Sequence, residues 1–259
     1  MEMTFAGRQA AAATSTCPVC ARGATLYDVV DFNKSCSEAW GAHRPLTGRP
    51  VYYHRCGSCG FVYAEEFQAW SSEEFAEHIY NEAYIEVDPD FVSKRPVGNA
   101  QFIANLFGDQ KSHIRHLDYG GGNGLLSQTL AGEGWKSTSY DPYAGNAVPL
   151  ESLGKFNLIT AFEVFEHVAD VQGLMDRLGA LMDEQCVLIF STLLSDEHLK
   201  PNGRLDWWYA SPRNGHISLF SKQSLVDLAT GRGLDFGSFN PGLHCFFNSL
   251  PNWSRKLLG

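Results

Sequence analysis

At 259 residues, 44% of them hydrophobic, the chain is long enough for one substantial α/β core and a small appended module. Its formal net charge of −9 gives no general pull toward nucleic acid or an anionic membrane, and no apolar run reaches the ~18 residues of a membrane-spanning helix. Met1–Thr16 lacks a basic leader and a hydrophobic segment, so a cytoplasmic chain is expected, and its cysteines are not read as disulfides.

Residues 1–15, rich in Ala, Thr and Gly, read as a mobile tail. Residues 16–66 form a module on two CxxC pairs, Cys17 with Cys20 and Cys56 with Cys59. Each pair lies in a short turn, CPVC and CGSCG, whose two thiolates can bind one metal ion; together they make a tetrahedral four-sulfur zinc site. The long gap between the pairs loops out an insertion at about 31–50. Neither pair precedes a thioredoxin-like helix pattern, which disfavours a redox role. His43, His54 and Cys36 are read as solvated or filling residues, and Cys186 and Cys245 as small buried side chains. Arg44, Arg49 and Arg55 are offset by Asp28, Asp31, Glu38, Glu65 and Glu66. That balance argues against a phosphate-backbone footprint and for a metal-stapled cap forming one wall of a substrate cleft.

Residues 67–112 read as a helical linker or lid. One helix is expected over 71–84, with Ser71 or Ser72 as cap, Glu73 and Glu74 at its positive end, and Phe75, Ile79 and Tyr80 on one face. Tyr80 and Tyr84 share that face, and a second helix is expected over 97–107.

The remainder, 113–259, alternates strands and helices. Strands are expected at 113–119, 136–140, 156–161, 185–192, 234–239 and 243–247, and helices near 124–133, 170–182 and 221–231. Such alternation predicts an α/β, Rossmann-like, doubly wound and mostly parallel sheet, with ligands at the carboxyl ends of the strands. The first strand ends in Asp118 and turns through Gly120, Gly121, Gly122, Asn123 and Gly124. A dinucleotide fingerprint would place its third glycine at Leu125; the spacing here is DxGxGxG, and its carboxylate suits a cationic ligand better than a pyrophosphate. The next strand ends at Asp141, placed to accept hydrogen bonds from two ribose hydroxyls.

On the ordered motifs LDYGGGNG, SYDPY and FNLITAFEVFEHV, the chain resembles the class I S-adenosylmethionine-dependent methyltransferases over roughly residues 113–240. The resemblance implies an S-adenosylmethionine site formed by Asp118, Gly120, Gly121, Gly122, Asn123, Gly124, Asp141, Pro142, Phe162 and Glu163. It also implies a further antiparallel strand at one edge, and a lid helix that brings Tyr80 and Tyr84 to the cofactor. The stretch between Asp141 and Phe156 is short, so the usual third strand and its helix shrink to something near 146–150. Small zinc-ribbon-like N-terminal modules also precede the catalytic domain of deoxysugar methyltransferases, which the chain resembles in part.

A hydroxyl acceptor must lose its proton, and two places offer a base. In ExxEH, Glu163 and Glu166 or His167 would share one side of a helix start; in ubiquinone-type and small-RNA methyltransferases a similar motif, with a further histidine, holds a divalent metal. Otherwise Glu163 orients the cofactor while Glu166 and His167 pin the helix. The second place is His216 in HISLFS, similar to a stretch of the deoxysugar C-methyltransferases, and it is the expected general base, titrating near neutral pH. The same loop carries Trp207, Trp208 and Tyr209, at least one of which should line a cleft, and Arg204 and Arg213, placed to hold a phosphate or carboxylate. A methyltransferase acting on a small molecule or glycan, most simply on oxygen, is the expected function. A cofactor-binding scaffold, or an RNA-directed enzyme using the zinc module, is the other class, and acidity disfavours RNA.

Overall fold

The computed structural model describes residues 14–143 and 148–254. The tail expected over 1–15 lies outside these residues except for 14 and 15, which open the first strand.

The N-terminal module is an antiparallel meander of β1 (Thr14–Thr16), β2 (Gly23–Asp31), β3 (Pro50–Cys56) and β4 (Val62–Ala64). Two hairpin turns between these strands carry the CxxC pairs. Three short helices follow: α1 (Ser72–His78), α2 (Tyr84–Val87) and α3 (Lys94–Phe107). Of the two serines expected as cap, Ser71 takes the place, and Glu74 reaches back to close a reciprocal capping box on α1. The single helix expected over 71–84 is instead broken after His78, and α3 starts earlier than expected, with Pro96 tolerated in its first turn.

The larger sheet has the order β10-β11-β8-β7-β5-β6. Its strands are β5 (Arg115–Tyr119), β6 (Lys136–Tyr140), β7 (Phe156–Ala161), β8 (Met182–Ser191), β10 (Asp235–Asn240) and β11 (Leu243–Phe247). Helices α4 (Leu125–Gly132), α5 (Val171–Leu181) and α6 (Lys222–Thr230) cover it. The four strands β8-β7-β5-β6 are parallel, and β7 is buried almost throughout, as a central parallel strand must be. The antiparallel strand, β11, is not at the edge: it pairs with β8 on one side and β10 on the other. No strand lies beyond β6 among the described residues. Asn146 and Ala147 of the abbreviated segment lie outside them, and 150–152 form one short 3-10 turn.

β5 sits where the chain switches direction across the sheet, with β6 on one side and β7 on the other; the crevice above such a point is where open α/β sheets take ligands. Module and sheet share their cores. Cys17, Cys56, Cys59 and Phe61 are buried in one cluster with Phe165, Phe190 and Phe220. The small sheet also recruits β9 (Ser218–Leu219) from the catalytic segment, pairing Val62 with Leu219 and Tyr63 with Ser218. No helix of the described residues is long and apolar enough to cross a membrane.

Candidate active site

The turn after β5 has left-handed backbone at Gly120 (φ 74°), Gly122 (φ 54°) and Gly124 (φ 75°), which only glycine adopts readily. A Cβ at Gly120 would stand 2.5 Å from Val164 Cγ2, whereas one at Gly122 would meet nothing within 4 Å, so that side of the turn is open. Asp118 is buried beneath the turn, its Oδ1 accepting from Thr160 Oγ1 at 2.9 Å. Burial pushes its carboxyl up to about 7. Behind it, His116 is fully buried between Ser137 Oγ (2.8 Å) and Thr160 Oγ1 (3.0 Å), and burial depresses its imidazole to about 3. Because Thr160 donates to Asp118, it accepts from His116 Nε2–H, so the chain of donors points at the carboxylate.

At the tip of β6, Asp141 Oδ2 accepts the Gly122 amide at 2.9 Å and Oδ1 accepts that of Tyr143 at 2.8 Å. The carboxylate therefore ties the glycine turn to its neighbouring strand. Asn123 closes the turn from the other side, donating to Val92 O and accepting from the Leu125 amide. Pro142 is exposed beside Asp141.

Beyond β7 the chain departs from expectation. ExxEH does not begin a helix: Glu163 is left-handed (φ 55°), Phe165–His167 form one 3-10 turn, and α5 starts only after Asp170, whose side chain caps the Gly173 amide. Glu163 and Glu166 thus point to different places. Glu163 N donates to Ser191 Oγ (2.8 Å), which donates back to Glu163 Oε1 (3.0 Å). Its side chain lines a cavity of about 230 Å³ with Arg95, Asn99, Phe102, Phe162, Ser191 and Leu243.

Glu166 turns inward. Its Oε1 accepts from Tyr209 OH at 2.6 Å, while its buried Oε2 has no partner. The ligating atoms of Glu166, His167 and His216 lie within 4.8 Å of one another; Glu163 is not in this group. His216 Nδ1 donates to Tyr209 O at 2.9 Å, which leaves Nε2 as an unprotonated acceptor. His167 Nδ1 lies 3.0 Å from Tyr80 OH, and Tyr84 OH donates to Asn214 O at 3.1 Å. Tyr80 thus meets His167 and Tyr84 the loop that carries His216, each from a broken helix. Burial, then the Glu163 charge, holds the Glu166 carboxyl well above its usual range. Burial, then His216 and Arg95, holds His167 well below its usual value. Burial brings His216 to about 4, correcting the expectation of a near-neutral imidazole.

Of the other loop residues, Tyr209 alone among the three aromatics is hydrogen-bonded to Glu166 and His216. Trp207 and Tyr209 are buried in the core shared with the module, and Trp208 packs against it. Arg204 pairs with Asp28, and the buried Arg213 donates to Ile79 O, so the two do not converge on a phosphate site. Tyr53, absent from the sequence argument, donates to His216 O at 2.8 Å; its only signal is the alternation of β3.

The four module cysteines are free and converge, with Cys17 and Cys59 sulfurs 3.6 Å apart and Cys20 and Cys56 sulfurs 3.5 Å apart. Tetrahedral Zn–S bonds of about 2.3 Å demand sulfur separations of about 3.8 Å, so the set fits a zinc ion. The Ser58 and Cys59 amides also point at Cys56 Sγ. Sharing a proton with Cys59 pulls Cys17 down to about 6. Cys36 stands apart, 3.7 Å from His216 Nδ1, with its thiol pushed up to about 12 by burial.

The profile of the family described as "Methyltransferase domain" matches residues 91–236. Two curated relatives are ubiquinone biosynthesis O-methyltransferases. That of Azorhizobium caulinodans is 33% identical, with 31% of this chain and 40% of that protein covered; that of Rhodopseudomonas palustris is 26% identical, covering 45% and 52%. The chain thus spans about half or less of these relatives' length. An O-methyltransferase family protein from Burkholderia thailandensis shares the fold at a TM-score of 0.50 and 12% identity, over 71% of this chain and 64% of that one. The match covers more than half of the chain and includes the glycine turn and the strands around it, so the chain belongs to the methyltransferase domain family.

Proposed function

We propose that this chain moves the methyl group of S-adenosylmethionine onto a hydroxyl oxygen of a small molecule or glycan. The observation that carries the reading is the convergence of Glu166, His167 and His216. The names of the two curated relatives support oxygen as the acceptor atom.

Asp118, Gly120, Gly121, Gly122, Asn123 and Gly124 cradle the cofactor in this reading, Asp141 and Pro142 meet its ribose, and Phe162 and Glu163 border its methionyl end. The sulfonium is already activated, so holding donor and acceptor in line supplies much of the acceleration. With no cation bound, the acceptor hydroxyl meets the unprotonated Nε2 of His216. As the C–O bond forms and the S–C bond breaks, the hydroxyl proton passes to His216 Nε2 and S-adenosylhomocysteine is released.

Two neutral imidazoles and a carboxylate with an orphaned buried oxygen fit a divalent cation on Glu166, His167 and His216. When bound there, such a cation supplies Lewis acidity that lowers the pKa of the acceptor hydroxyl. His216 takes the place of the further histidine expected beside ExxEH. His216 as the lone base is the second reading, favoured by its fixed tautomer but weakened by the burial that holds it near 4. The four thiolates of Cys17, Cys20, Cys56 and Cys59 hold a structural zinc that staples the module.

The test is turnover of labelled S-adenosylmethionine against a panel of sugars, sugar nucleotides and phenols, with metal analysis before and after chelation. Label on an acceptor oxygen supports the reading. No uptake of the cofactor by calorimetry overturns it, and label on carbon or nitrogen overturns the choice of oxygen.

A further inference from the structure

We infer that Tyr53, in the module, is a positioning residue for His216, and that the pairing of β4 with β9 fixes the same loop. The role given to His216 rests on the proposed function; the positioning does not.

The loop that carries His216 is buried, so its backbone groups need partners. The module supplies them on both sides of the histidine. Upstream, the Arg213 amide donates to Lys34 O at 3.1 Å and Asn214 Oδ1 accepts the Cys36 amide at 2.9 Å. At the histidine, the fully buried Tyr53 donates to its carbonyl. Downstream, the Ala64 amide donates to Ile217 O at 2.9 Å, β4 pairs with Leu219 and Ser218, and Ser221 Oγ donates to Cys59 O, within the second knuckle. On the other side, the Ile217 amide donates to Glu166 O at 2.9 Å and Ser218 Oγ to Val168 O at 2.7 Å, which ties the loop to the segment carrying the carboxylate it must face.

A rigid main chain leaves the His216 ring one soft choice, its rotation, and the Nδ1 bond to Tyr209 O removes it. The direction of Nε2 is thus set by a hydroxyl in one unit and a carbonyl in the other. Second-layer contacts of this kind orient a ligating or proton-accepting histidine, and misplacement by about 1 Å can cost about a hundredfold in rate. Without the Tyr53 hydroxyl the His216 carbonyl is orphaned in the core, and the loop gains freedom where the site tolerates least.

The experiment compares full-length Tyr53→Phe with Tyr27→Phe, whose hydroxyl reaches Lys200 O at the rim of the same module. With ¹⁵N-labelled histidine, the His216 Nδ1–H resonance reports exchange with water, and calorimetry with S-adenosylmethionine reports the cofactor half. Expected are at least tenfold faster exchange in Tyr53→Phe, wild-type exchange in Tyr27→Phe, and cofactor affinity within twofold in both. If Tyr53→Phe does not accumulate as folded protein, Ser221→Ala, which cuts the link to Cys59, carries the same measurement and the same expectation. Wild-type exchange in the folded variant overturns the inference. A ring that responds in a protein that methylates no hydroxyl overturns the proposed function alone; methylation with an unresponsive ring overturns the positioning alone.

Discussion

Three glycines separate backbone strain, crowding and ligand approach by one added methyl each. Gly120→Ala places a side chain at φ 74° and 2.5 Å from Val164 Cγ2, where carbon atoms prefer about 3.5–4.0 Å. The left-handed backbone costs about 1–2 kcal/mol and the overlap with a buried valine about 1–3 kcal/mol, so a loss of roughly 2–5 kcal/mol is expected. Gly122→Ala pays only the backbone part, because its methyl meets nothing. Gly179→Ala, inside α5 with open space around it, should instead gain up to about 1 kcal/mol of helix propensity. At about 2–4 °C per kcal/mol for a chain of this size, thermal melts should rank Gly179→Ala above wild type, then Gly122→Ala, then Gly120→Ala. Calorimetry adds the decisive contrast. In the proposed cradle the Gly122 methyl stands where the cofactor lies against the turn, so affinity for S-adenosylmethionine should fall at least tenfold although the ligand-free fold loses only the backbone cost. Wild-type affinity in Gly122→Ala would refute the assignment of this turn as the cofactor cradle.

Burial raises Asp118 to about 7 from 3.8, so its contribution to stability is full below about 3.8 and lost as pH rises toward 7. A cationic cofactor favours the carboxylate, so its affinity should climb from pH 6 to pH 8, by at most about tenfold per unit below 7, and the slope should vanish in Asp118→Asn. Asp141→Ala removes the partner of the Gly122 amide and should weaken cofactor binding by roughly 1–3 kcal/mol, about 5- to 150-fold by calorimetry. Metal analysis should give about one zinc per wild-type chain and none in Cys56→Ser, whose melting temperature should fall, as should that of the wild type under a strong chelator. His216→Ala should keep cofactor affinity within about twofold and lose turnover, a split that isothermal binding and a radiolabel assay read separately.

Local signals were legible and distant ones were not. The boundaries of β7 and β11 follow from apolar runs ended by turn residues, that of β6 from Gly134 before it and Asp141 and Pro142 after it, and the α1 start from Ser71 and Ser72. The four-thiolate cluster is readable because each half of it is a two-residue spacing. ExxEH misleads because its helical spacing is only a spacing: Glu163 takes a left-handed backbone that ends β7 abruptly and turns Glu166 into the core. Tyr80 and Tyr84 leave one helix for a similar reason, each satisfying its hydroxyl on a different partner, His167 and Asn214. The union of Glu166 and His167 with His216 spans distant parts of the chain, and no periodicity encodes it. The run Trp207, Trp208 and Tyr209 marks Tyr209 as one of three candidates, but not that it grips Glu166 with its hydroxyl and His216 with its carbonyl. Arg204 and Arg213 look like anion ligands in a loop and prove to be partners of Asp28 and Ile79 O.

The recruitment of β9 into the module's sheet decides how this protein can be cut and recombined. A fragment that starts after residue 66 would strip Ser218 and Leu219 of their β4 partners and uncover Phe220, whose ring packs 4.9 Å from that of Phe61. Transplanting the zinc unit onto a foreign methyltransferase meets the reciprocal obstacle, an unmatched β4 edge seeking a strand. The two parts must therefore be inherited, expressed and engineered as one piece, with substitutions at 62–64 and 217–219 chosen together.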